Sequence, residues 1–102
     1  KEFLYFGDRI GAQEAYQIGL VNKVVPAEEL MAEAKRWAAE LAGRPPLSLK
    51  MIKYCVNLGM QMDLLSAIDY EAKSAAVLVN TEDRVEGMRA FVEKRKPVFK
   101  GR

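Results

Sequence analysis

Apolar residues recur at three- and four-residue spacing along most of this chain, the repeat of helices that each bury one stripe. Leu30, Ala34, Trp37, Ala38 and Leu41 form one such stripe. Met51, Cys55, Leu58 and Met62 form a second, widened by Ile52 and Val56, with Lys50 and Lys53 toward the opposite side. Leu64 or Leu65, Ile68, Ala72, Ala75 or Ala76, and Val79 form a third, whose alanines let another helix approach closely. The last and shortest is Val85, Met88, Phe91 and Val92. Four amphipathic helices follow, each predicted to bury its stripe.

The residues between the stripes say where each helix begins and ends. Residues 1–6 read as the end of a helix stopped by Gly7. Ala12, Ala15, Tyr16 and Ile18 give a helix of about two turns, with Gly19 as the residue just past its end. Residues 21–25 are valine-rich and predict one short strand or extended connector ending at Pro26. Pro26 then opens a helix whose first turn holds Glu28 and Glu29, where the macrodipole favours negative charge. Gly43 ends it, and Arg44-Pro45-Pro46 is a rigid break before a helix over 47–60. Asp63 is placed to cap residues 64–79. Thr81-Glu82-Asp83-Arg84 caps the final helix, and Pro97 closes it. The fold class is therefore mostly α, with residues 27–102 as a region of about four helices.

Composition narrows the chemistry. With 102 residues and half of them hydrophobic, the chain has material for one small core. Absence of His removes imidazole bases and His-containing metal sites. The single Cys, Cys55, permits no intrachain disulfide and no CxxC site, and reads as a small buried hydrophobe. A net charge of +2 does not argue for nucleic acid, and no helix carries a continuous basic face. No apolar run reaches the roughly 20 residues of a membrane span, so no membrane partner is expected and the expected location is cytoplasmic. The start at Lys1, inside what reads as an element, leads us to expect a fragment or processed product.

Several carboxylates invite a catalytic reading. Glu14 sits on a short helix, where a solvent-facing or cap-supporting role accounts for it. The Glu28–Glu29 and Glu82–Asp83 pairs resemble acid/base dyads, but adjacent helical residues point in different directions. First-turn stabilisation explains both pairs. The tail differs: Lys94, Arg95, Lys96, Lys100 and Arg102 surround Phe91 and Phe99. Cations beside an aromatic ring suit a phosphate-bearing ligand with a flat base. A solvated charge run fits the residues as well.

Two ordered motifs give the chain a wider resemblance. FLYFGDRIGAQEAYQIGLVNKVVP, residues 3–26, follows almost position by position the segment that ends the spiral core of the crotonase, or enoyl-CoA hydratase/isomerase, family. Phe6 stands where that family usually has Thr or Ser. Asp83, Glu86, Gly87, Ala90, Phe91, Glu93, Lys94, Arg95, Pro97, Phe99 and Gly101 match the family's ending. The chain thus resembles the C-terminal portion of a crotonase-type fold. On that basis residues 1–26 are the end of the spiral core and 27–102 the helical region that builds a trimer.

That resemblance implies a parent enzyme acting on acyl-CoA thioesters, with reversible hydration of a trans-2-enoyl-CoA as the leading activity. Isomerase, dehalogenase, hydrolase and decarboxylase activities share the fold. Coenzyme A enters as part of the substrate, and no covalently bound cofactor is implied. Phe91 and Lys94 match positions that approach the adenosine–phosphate end of coenzyme A bound mainly by a neighbouring subunit, and they are expected on one side of the final helix. Ala75 matches a region lining the far end of the acyl pocket. The family's oxyanion hole and catalytic glutamates belong to the spiral portion, so no catalytic residue carries over to this chain. A homo-oligomer, trimer or dimer of trimers, is implied for the parent, and the segment alone is expected to be inactive. A free-standing helical interaction domain and a basic-tailed nucleic-acid binder are the rival readings.

Overall fold

The computed structural model describes all residues, Lys1–Arg102. Six α-helices follow in order: α1 (Glu2–Phe6), α2 (Ala12–Gln17), α3 (Leu30–Ala42), α4 (Pro46–Gly59), α5 (Leu64–Val79) and α6 (Glu82–Val92). A 3₁₀ turn at Ala27–Glu29 leads into α3. The chain forms two compact units, Lys1–Arg36 and Trp37–Arg102.

In the first unit, glycines end both short helices. Gly7 (φ 71°) and Gly19 (φ 76°) take left-handed conformations that a side chain would strain. After α2 the amide of Leu20 donates to the Ala15 carbonyl and that of Gly19 to Tyr16, a Schellman closure. Ala15 is buried at this turn. Lys23 Nζ bonds Glu33 at 2.7 Å, and Arg36 holds the same carboxylate. The short strand expected over residues 21–25 does not form. A strand needs a neighbour's backbone to pair with, and this chain contains no strand at all.

In the second unit, α4 and α5 form an antiparallel hairpin. Pro46 begins α4 rather than ending a break; at N1 its missing N–H costs no helical bond. Gly59 lets α5 come close, since a Cβ there would lie 3.5 Å from the Ala67 Cβ. Asp63 caps α5 as expected: Oδ1 accepts the Ser66 amide at 3.0 Å and Oδ2 accepts the Ser66 hydroxyl at 2.6 Å. These bonds hold the Asp63 carboxyl below its ordinary pKa. Thr81 caps α6 by accepting the Arg84 amide at 3.2 Å.

The predicted stripes exist, but they are not buried within this chain. Val85, Met88, Phe91 and Val92 are all exposed on α6, as are Leu64, Leu65 and Ile68 on α5. The residues α6 buries are Asp83 and Ala90. Cys55 is only half-buried. No large side chain is fully buried anywhere, and the accessible surface is 8862 Å². A folded monomer of 11.5 kDa exposes about 5,800 Å². Apolar faces of this extent ordinarily meet something else.

Candidate functional site

The most organised polar structure lies where the tail folds back along α6. The helix ends in a second Schellman closure: the Lys94 amide donates to Phe91 O at 3.3 Å and the Arg95 amide to Ala90 O at 3.0 Å. The left-handed position of this motif usually falls to glycine. Here it is Lys94, at φ 52°, the one non-glycine residue with positive φ. A side chain there costs on the order of 1 kcal/mol.

Beyond the turn the chain runs antiparallel to α6 and is fastened at three levels. Glu86 takes Arg95 in a fork, Oε1 accepting from Nη1 at 2.6 Å and Oε2 from Nη2 at 2.9 Å. The same Oε1 accepts the Val98 amide at 2.9 Å. Arg95 Nε donates to Glu93 at 2.5 Å, and Nη1 also reaches the Lys96 carbonyl at 3.2 Å. Phe99 lies against Gly87, where a Cβ would meet its ring at 3.6 Å. Asp83, 4% exposed, accepts the Lys100 amide at 2.6 Å and the Gly101 amide at 2.8 Å. Its own amide donates to the Arg102 carbonyl at 3.1 Å. Gly101, left-handed at φ 76°, sits over Pro46 at the start of α4.

Charge in the tail is therefore divided. Arg95 is neutralised by Glu86 and Glu93, and Arg102 by the exposed Glu82. The fork and the Val98 amide lower the Glu86 pKa to about 2, and the two carboxylates raise that of Arg95. Lys94, Lys96 and Lys100 form no ion pair, so their ammonium groups remain available to an anion.

Of the two site residues expected from the sequence, Phe91 lies in the last turn of α6 with its side chain 85% exposed. Lys94 is not on the helix, because α6 closes at Val92 and Lys94 forms the reversal that follows. A backbone hydrogen bond joins the two residues at that turn. Ala75 lies apart from them, on an open apolar groove shared with Met51, Cys55 and Leu78 of the α4–α5 hairpin. Glu14 is exposed in the first turn of α2. Sequence reasoning placed Asp83 as first-turn charge only and gave Glu86 and Arg95 no partner. The available signal was spacing: Asp83, Glu86 with Gly87, and Ala90 fall three or four residues apart on one face, with small residues where a chain could lie.

The family model for enoyl-CoA hydratase/isomerase matches residues 1–102, the entire chain. A crotonyl-CoA hydratase of Syntrophomonas wolfei is 44% identical over 99 residues, covering 97% of this chain and 38% of its own length. A short-chain-enoyl-CoA hydratase of Clostridium acetobutylicum is 41% identical over 96 residues, covering 94% of this chain and 37% of its own length. The crystal structure of an enoyl-CoA hydratase from Bacillus anthracis superposes with a TM-score of 0.95 at 39% identity, over 100% of this chain and 40% of that one. The chain thus spans about two fifths of the relatives it matches. The left-handed lysine turn and its carboxylate fastenings lie inside that matched length. With both sequence motifs and every helix inside one family's pattern, the chain belongs to the enoyl-CoA hydratase/isomerase family.

Proposed function

We propose that this chain is the C-terminal helical region of an acyl-CoA-processing enzyme, and that the complete protein reversibly hydrates trans-2-enoyl-CoA. In that reaction the oxygen of water adds at C3 of the enoyl thioester and a proton is added at C2. Relatives named as crotonyl-CoA and short-chain-enoyl-CoA hydratases support this choice. The chain's own part is binding and assembly. Exposed Phe91 offers a face to the adenine, and Lys94 offers a charge to a phosphate of coenzyme A held mainly by a neighbouring subunit. The apolar faces of α5 and α6 meet the rest of the enzyme and its other copies in a trimer or dimer of trimers.

The observation that carries this reading is Lys94 itself. A lysine in a left-handed turn where glycine is cheaper, next to a carboxylate fork on Arg95 and itself left without an ion pair, is arranged to meet an anion. Glu14 is exposed in the first turn of α2. Loss of the conjugated-thioester absorbance of crotonyl-CoA provides the test. The full-length protein is expected to turn over crotonyl-CoA, and the segment Lys1–Arg102 alone is expected to be inert. Turnover by the purified segment that disappears in Glu14→Gln would overturn the assignment of the segment to binding and assembly.

A further inference from the structure

The fork on Arg95 does more than close a helix. A left-handed lysine is strained, and the two Schellman bonds, from its own amide to Phe91 O and from the Arg95 amide to Ala90 O, offset part of that strain. The chain that leaves the turn lies back along α6, fastened to Glu86 and Asp83. Glu86 is the residue that holds that departing chain nearest the turn. It grips the residue after Lys94 through two guanidinium nitrogens and the amide of Val98 through a shared oxygen. Nε, Nη1 and Nη2 of Arg95 are all engaged. A guanidinium held bidentately has a defined orientation.

We propose that Glu86 and Arg95 are positioning residues for nucleotide recognition, acting through Lys94: the fork fixes the left-handed turn and so aims the lysine at the phosphate. This inference rests on the reading above that Lys94 meets coenzyme A. Neither residue is asked to touch the ligand, since the guanidinium is spent on Glu86, Glu93 and the Lys96 carbonyl. Removing the fork leaves the turn free to relax into ordinary backbone conformations, in which the lysine points elsewhere for part of the time. The loss is then a fraction of what deleting the lysine costs, and it falls on nucleotide binding rather than on the thioester chemistry.

The test uses the full-length protein with crotonyl-CoA and with the crotonyl thioester of pantetheine, which lacks the nucleotide. The quantity read is the preference for the complete substrate, taken as the ratio of the two KM values. Lys94→Ala is expected to reduce that preference about two- to tenfold, the loss of one phosphate contact. Glu86→Gln and Arg95→Gln should each reduce it by a smaller factor than Lys94→Ala does, with kcat on crotonyl-CoA held. In the double variant Glu86→Gln/Lys94→Ala the preference should equal that of Lys94→Ala alone, because the fork has no lysine left to aim. If Lys94→Ala leaves the preference intact, the nucleotide reading fails and this inference falls with it. If Lys94→Ala acts but the fork variants do not, or their effects multiply in the double variant, the positioning role is refuted and the lysine contact stands.

Discussion

Replacing Asp83 should release the end of the tail, and the structure sets the size of the loss. Its carboxylate is almost fully buried and accepts two backbone amides, from Lys100 at 2.6 Å and Gly101 at 2.8 Å. Hydrogen bonds to a charged acceptor contribute about 1.5–3 kcal/mol each. The two are not additive here, because the freed amides, on an irregular segment at the surface, can turn to water. Asp83 also lies in the first turn of α6, where a negative charge contributes about 0.3–1 kcal/mol more. Asp83→Ala should therefore cost about 2–3 kcal/mol. Asp83→Asn should cost about 1–2 kcal/mol, since its amide keeps one acceptor and turns a donor toward the other N–H. Glu82→Gln is the comparison: its partner Arg102 is exposed, so the loss should stay under about 0.5 kcal/mol. Urea unfolding of the full-length protein gives the energies, and amide hydrogen exchange at Lys100 and Gly101 localises them. The reasoning is refuted if Asp83→Ala leaves those amides as protected as before, or costs no more than Glu82→Gln.

Lys94→Gly should stabilise the full-length protein by up to about 1 kcal/mol, because glycine carries no penalty at positive φ, while Lys94→Ala should be close to neutral; urea midpoints compare the two. The Glu86 carboxyl has a folded pKa of about 2 against an ordinary 4.5. The unfolded state therefore binds more protons in that window, and the contribution of Glu86 should be complete above about pH 4.5 and lost as pH falls toward about 2. Acid unfolding followed by circular dichroism should show the gap between wild type and Glu86→Gln closing over that range; a gap independent of pH contradicts the fork. The isolated segment should self-associate, since its exposed surface exceeds that of a compact monomer by about 3,000 Å². A monomer by sedimentation equilibrium at high concentration, with no dye-detectable apolar surface, would count against this.

The helices and their ends were legible because those signals are local. Gly7 and Gly19 stop helices by needing positive φ, and Asp63 and Thr81 cap helices with their own side chains. The stripes fixed which residues lie together on a helix face, but not what covers that face. Phe91 and Val92 read as buried from spacing alone and are exposed here, because nothing within these residues covers them. The valine-rich segment 21–25 failed as a strand for the same reason. The tail was harder still. Periodicity speaks about a helix's apolar face, whereas Asp83, Glu86, Gly87 and Ala90 receive an irregular chain on another face. Nor does any propensity scale anticipate a lysine in the left-handed position, which is set by the closure around it.

The role proposed for Lys94 is to meet a phosphate at the nucleotide end of an acyl-CoA. The most direct measurement is KM for crotonyl-CoA in wild type and Lys94→Ala full-length protein at low and high salt, beside the pantetheine thioester. KM for crotonyl-CoA should rise about two- to tenfold with kcat maintained, the rise shrinking at high salt as screening weakens the charge contact. An equal weakening of the pantetheine thioester, or a rise indifferent to salt, would contradict it.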